Sequence, residues 1–279
     1  MTATAIRSLK VRRVNFNFEG TPVHWFKGNP IATHFQNAFH CIFPDGEKFF
    51  IRSVLRYKDK IGDPELKKQI DNFCGQEGTH YKEHQKFWKI LEQQGFDVDK
   101  FVRFYTGTLY GSFEKNALKN MGELGNKLAL SSTVAAEHFT AILAASSFED
   151  ISRYDDLPED MKKLMLWHAA EEIEHKALPF NVLQEIDDSY TLRIAGMLMA
   201  SWALWSYNFV GTMMFLSQDK ELQYNKLPKY LMQFMVGFGS GPGRGLMKSY
   251  FKYYKPGFHP DQIDNYHMAK EYLEANGLS

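Results

Sequence analysis

Apolar residues recur at helical spacing along most of this chain, and a few Pro, Gly and Asp positions punctuate the pattern. Residues 1–30 are the exception. Val11 to Phe18 alternates partly, and Gly20, Pro22, Gly28 and Pro30 interrupt any period, which predicts an extended arm. Ile31 to Cys41 predicts a short helix, and Phe43-Pro44-Asp45-Gly46-Glu47 predicts the start of a second, running to about Asp59. Asp63-Pro64 pairs an N-cap with Pro at the first helical position and opens a long helix that stops at Gly95. Further helices are predicted from about Asp97 to Leu118, from about Leu124 to Glu149, and from Pro158 to about Ile186 with a kink at Pro179. Gly237, Gly239, Gly241, Pro242, Gly243 and Gly245 predict a flexible turn before two short helices, the last near Pro260 to Ala275.

The inward stripe of the 64–95 helix is apolar at both ends and polar in the middle: Leu66, Ile70, Phe73, then Glu77, His80 and His84, then Phe87 and Leu91. Acids and imidazoles interrupt a core face in this way when a buried cation compensates them. The same residue types stand at Glu47, at Glu137 within a run of small residues, and at His168, Glu172 and His175, with Glu171 on the flank and Glu174 opposite as a solvated charge. Four helices that each turn a Glu inward, two of them with a His three residues on, form the ligand set of a carboxylate-bridged dinuclear site. In that scheme Glu77 and Glu172 bridge, His80 and His175 cap each metal, and Glu47 and Glu137 complete it. Two iron ions are the expected cofactor, with manganese as the alternative and a third metal left open, because His84 and His168 exceed a six-ligand set. The surplus is otherwise expected to orient the ligands through hydrogen bonds. His138, about 100° round from Glu137, reads as a core histidine or an extra ligand. His24, His34, His40, His259 and His267 lack any such spacing and read as ordinary residues.

The expected organisation is therefore all-α: an arm over 1–30, then one helical metal-binding domain over 31–279. Its metal bundle spans about 43–187, its apolar helix about 192–218, and its C-terminal helices about 226–276. Ile194 to Ser217 carries no charge and is long enough to span a bilayer, although its Ser, Asn and Gly content also suits a buried or interfacial helix. Peripheral membrane contact or a homodimer through 194–217 follows as an expectation. Balanced charge, 33 basic against 33 acidic residues, supplies no global field for nucleic acid. Cys41 and Cys74 form no metal-ligand spacing or disulfide framework, and no signal peptide is legible, so a cytoplasmic setting is expected.

Through Glu47, Glu77-x-x-His80, Glu137 and Glu172-x-x-His175 the chain resembles ferritin-like di-iron carboxylate proteins. Through Glu77, His84, Glu137 and His168-x3-Glu172-x2-His175 it resembles heme-oxygenase-like di-iron oxidases. It also resembles a bacterial family described as predicted metal-dependent hydrolases. That likeness runs through Phe43-Pro44-Asp45-Gly46-Glu47, Gln76-Glu77-x-x-His80-x-x-x-His84, Glu137-His138-Phe139-Thr140 and Trp167-His168-Ala169-Ala170-Glu171-Glu172-Ile173-Glu174-His175. These resemblances imply a ferritin-like or heme-oxygenase-like helical bundle.

Three functions follow as expectations. The first is a di-iron oxidase or oxygenase that uses O2 and an external electron donor on an apolar, fatty-acyl-like substrate. Trp202, Trp205 and Phe209 suggest the apolar substrate, and Tyr81, Tyr105 or Tyr110 would relay electrons. The second is a hydrolase using a metal-bound hydroxide, with His84 or His168 as general base. The third is a non-catalytic iron-binding protein.

Overall fold

The computed structural model describes residues 8–239 and 242–278, and among them every regular element is helical. Gly241 of the expected glycine turn and Arg7 of the arm lie outside the described residues.

Helix α1 (Pro30–Leu55) is continuous where two helices were expected. Asn29 caps it by accepting from Ala32 N, and Pro30 occupies its first turn. Pro44 lies inside this helix and has no N–H to give the carbonyl of His40, four residues back. The Trp88 indole N–H fills that vacancy, donating to His40 O at 2.8 Å. A tertiary bond thus offsets the loss that made a break look necessary.

Helix α2 (Pro64–Gln93) begins as its cap predicts, with Asp63 accepting from Glu65 N and Leu66 N. The expected 97–118 helix is α-helical only over α3 (Val98–Thr106), then widens into a π-helical stretch, Gly107–Leu118. Helix α4 (Glu123–Glu149) follows Gly122, which sits at φ +58, a conformation L side chains rarely adopt. The expected kink at Pro179 is instead a break. Helix α5 (Glu159–His175) ends at the residue whose carbonyl Pro179 cannot serve, and α6 (Leu178–Ile186) starts afresh.

Helices α1, α2, α4 and α5 form the central four-helix unit, pairing α1 with α2 and α4 with α5. Helix α7 (Tyr190–Gln218) covers the α1 and α4 side. Its backbone approaches α4 so closely that a Cβ on Gly196 would lie 2.1 Å from Ser131 Oγ. One face of α7 is therefore in the core, while Leu198, Trp202, Phe209 and Met213 remain exposed. Among the described residues only Glu123–Glu149 is long and apolar enough to cross a membrane, and 78% of that window is buried inside the protein. Helices α8 (Leu227–Gly239) and α9 (Pro242–Lys252) pack on each other and on α1 and α4 respectively, and α10 (Tyr266–Ala275) packs on α5.

The arm threads along α2 towards α5. Leu9 N donates to Gln69 Oε1 at 2.7 Å and Phe16 N to Glu83 Oε2 at 3.1 Å. Val11 presses on Gly75, where an added Cβ would meet its side chain at 2.5 Å.

Candidate metal centre

Each helix of the central unit delivers its acids and imidazoles to one buried point: Glu47 from α1, Glu77, His80 and His84 from α2, Glu137 from α4, and His168, Glu172 and His175 from α5. All eight side chains are buried. The spacing explains the convergence, because residues three, four and seven apart return to one helix face.

Glu172 Oε1 is the hub. It lies 2.8 Å from His168 Nε2, 3.5 Å from His80 Nδ1 and 3.5 Å from His175 Nε2. On one side, His175 Nε2 stands 3.1 Å from both Glu77 Oε1 and Glu137 Oε2. On the other, Glu47 Oε1 stands 3.9 Å from both His84 Nε2 and His168 Nε2. Within this cluster four trios each place one ligand atom per residue within 4.8 Å of the others: Glu77, Glu172 and His175; Glu47, His84 and His168; His80, His168 and Glu172; and Glu47, Glu77 and His80. The pairs that two dimetal schemes treated as alternatives, Glu47 with His80 and His84 with His168, all occupy this one site.

Whether the residues suit a cation is decided by their unmet polar atoms. Both carboxylate oxygens of Glu47, Glu77 and Glu137 lack a hydrogen-bond partner, as do Glu172 Oε2, His80 Nδ1 and His175 Nε2. Several of them sit close together without a hydrogen bond, His175 Nε2 at 3.1 Å from Glu77 Oε1 and Glu137 Oε2 and His80 Nδ1 at 4.0 Å from Glu77 Oε2, which is how ligands around a shared cation are disposed. Electrostatics agrees. Burial, then repulsion from neighbouring carboxylates, pushes Glu47 and Glu77 well above the usual carboxylate range. Burial lifts Glu137 to about 7 against the pull of His175. Burial also pushes Glu172 up, but His175 and the hydrogen bond from His168 outweigh it and hold this carboxyl well below its usual value. His80 and His84 are driven down by burial and by His168, so both stay neutral, as ligation requires.

The surroundings orient the cluster. His80 Nε2 bonds Glu171 Oε2 at 2.9 Å, and Arg12 of the arm bonds Glu171 Oε1 at 2.9 Å. The same guanidinium grips both oxygens of Glu174, at 2.6 and 2.9 Å, so Glu174 is an anchor for the arm and not the solvated charge expected. Gln76 links the two systems, accepting from His175 Nδ1 at 3.1 Å through Oε1 and donating to Glu174 through Nε2. Sequence spacing could not find Arg12, because 159 residues separate it from Glu171.

His40 is the second omission. Its Nδ1 lies 2.8 Å from His84 Nδ1, and His84 Nε2 lies 2.9 Å from His168 Nδ1, so three imidazoles and Glu172 form one chain. His138 stands apart: it faces Tyr253 and Phe258 and bonds Ser249 O at 3.2 Å.

A cavity of about 490 Å³ reaches the cluster at His84, His168 and Glu172. Its wall is Phe26, Phe35, Phe39 and Phe43 with Met165 and Leu143, and polar Lys27, Asn29 and Arg153 also line it. Trp202, Trp205 and Phe209 of α7 are not among its lining residues, and its aromatic surface comes mostly from the arm and α1, with Tyr154 and Phe234. Tyr105 and Tyr110 hydrogen-bond each other beside Gly46, while Lys48 lies over the ring of Tyr81 at 4.2 Å.

His24 and His34, without helical ligand spacing in sequence, meet Asp219 in a separate, mostly buried group. Trp25 Nε1 can only donate and bonds Asn37 Oδ1 at 2.8 Å, so Asn37 must turn its Nδ2 to His34 Nδ1 at 3.2 Å. His34 Nδ1 is therefore an acceptor and its Nε2–H donates to Asp219 at 3.1 Å. With His24 Nε2 also 2.7 Å from Asp219, the trio clamps the arm, α1 and the end of α7 together.

An all-helical protein with buried Glu and His groups that could hold a metal ion is the class this geometry defines. A family model described as "Predicted metal-dependent hydrolase" matches residues 10–264, and the chain belongs to that family. No curated protein and no solved structure matches it.

Proposed function

We propose that this protein is a dinuclear metal-dependent hydrolase acting on an ester or amide with an apolar acyl or aromatic part. The observation that carries the reading is the aromatic cavity that ends on His84, His168 and Glu172, the edge of the buried ligand cluster. Family membership supports hydrolysis over the oxidase that the ligand pattern alone placed first. Glu77, Glu137, His175 and Glu172 would hold one cation, and Glu47, His84, His168 and His80 the other, with Glu172 shared. When bound, such a pair lowers the pKa of water and polarises a carbonyl. The protein's own part is positional: Phe35, Phe39 and Phe43 exclude water and hold the apolar half of the substrate. His40, neutral because burial and His168 press its pKa to about 3, lines the cavity with Nε2 unpartnered and available to hydrogen-bond the polar half.

One observation favours a second reading: the ligand set is carboxylate-rich and opens on an aromatic wall, which suits O2 activation. A single experiment separates the two. Chromogenic acyl esters are incubated under strict anaerobiosis with the metal-loaded protein and its Glu172→Ala variant. Turnover without O2 that Glu172→Ala abolishes supports hydrolysis. Turnover that appears only with O2 and a reductant selects the oxidase.

A further inference from the structure

We infer that the α8–α9 hairpin docks on an anionic lipid surface. No described residue of α8 is fully buried, and four of its apolar side chains form an outward face: Met232 is 64% exposed and Val236 63%, with Leu231 and Met235 beside them. On α9, Met247 and Phe251, one turn apart, repeat the pattern, Phe251 being 60% exposed. A soluble surface does not ordinarily leave this much contiguous apolar area uncovered.

Charge identifies the occupant. The chain as a whole is neutral, yet between Glu221 and Asp261 it contains no acid, while Lys226, Lys229, Arg244, Lys248, Lys252 and Lys255 all fall there. Exposed Lys226 and Lys229 lie just before and at the start of α8, and Lys248 and Lys252 follow the apolar pair Met247 and Phe251 by one residue each. Apolar residues flanked by lysines are what an interfacial helix needs: the first enter the acyl boundary and the second meet phosphate. A second copy of the chain would fit poorly, because a two-fold contact sets the same patch against itself and lysine against lysine. The exposed stripe of α7 lacks this basic excess, since 194–217 carries no charge. Docking is therefore assigned to α8–α9, whose Gln233, Phe234 and Leu246 also wall the cavity. The inference concerns binding alone and does not depend on which reaction the cavity performs.

The test is co-sedimentation of the full chain with vesicles of phosphatidylcholine, with and without phosphatidylglycerol, across a salt series. Binding confined to phosphatidylglycerol vesicles and weakened by salt is expected. Met232→Ser/Met235→Ser and Lys226→Glu/Lys229→Glu/Lys248→Glu should each reduce it more than about tenfold at unchanged helicity. These positions are exposed, so the variants retain the fold. No binding to either vesicle overturns the inference, as does equal, salt-indifferent binding to both. A dimer that Met232→Ser/Met235→Ser dissociates, without vesicle binding, overturns it too.

Discussion

The Trp88 indole donates to the His40 carbonyl at 2.8 Å, and that carbonyl is the one Pro44 leaves without a helical donor. The bond keeps α1 unbroken across the two turns from His40 to Glu47. Trp88→Phe removes the donor and leaves a carbonyl unpaired, so the protein should lose about 1–3 kcal/mol in chemical denaturation. Pro44→Ala in the Trp88→Phe background restores the helical donor and should recover part of that loss. Equal stability of Trp88→Phe and wild type would refute the role.

Arg12 reaches the cluster through Glu171, which orients His80. Arg12→Met should keep the metal stoichiometry but weaken affinity by about 10–100-fold, measured by competition with a chromophoric chelator. Arg12→Lys should recover little, because a single ammonium cannot reproduce the fork that grips both oxygens of Glu174.

Glu172 and Glu137 should differ in stoichiometry. Glu172 Oε1 faces His168, His80 and His175, whereas Glu137 faces His175 at 3.1 Å. Glu172→Ala is therefore expected to abolish binding of both cations and Glu137→Ala to spare one, as counted by elemental analysis after desalting. Full occupancy in Glu172→Ala would contradict its place at the centre.

Metal removal should cost more stability as pH rises. Glu47, Glu77 and Glu137 have folded pKa values raised above their unfolded ones, so the metal-free fold holds protons that the unfolded chain has released. Stability from this source is fully present below the unfolded carboxylate value and is lost as pH climbs from there through the folded values, about 7 for Glu137, with Glu47 and Glu77 also well above their ordinary range. His175, also raised, acts in the same direction. The depressed histidines, His80 and His84, oppose this only below about pH 6.5, where their unfolded forms bind protons. Relative to metal-loaded protein, thermal melts of chelated protein should thus fall as pH rises above the unfolded carboxylate value of about 4.3, with the Glu137 share complete near pH 7, at up to about 1.4 kcal/mol per pH unit for each raised group. Parallel curves would show that the acids do not face a common cation.

The helical class, the Asp63-Pro64 start of α2 and the inward faces carrying Glu77, His80, Glu172 and His175 are legible in sequence, because caps and a 3.6-residue period act over a few neighbours. Local rules also mislead where a distant group intervenes. Pro44 looks like a helix boundary until Trp88 supplies the missing donor, and Glu174 looks solvated until the arm brings Arg12 across 162 residues. His40 has no telltale spacing, because its partner His84 sits on another helix. Sequence by itself determined the inward faces of α2 and α5 that carry Glu77, His80, Glu172 and His175. Tertiary packing alone decided that both ligand schemes share one site, that α1 rather than α7 walls the cavity, and that α8–α9 is left uncovered, since each depends on which faces meet across the bundle.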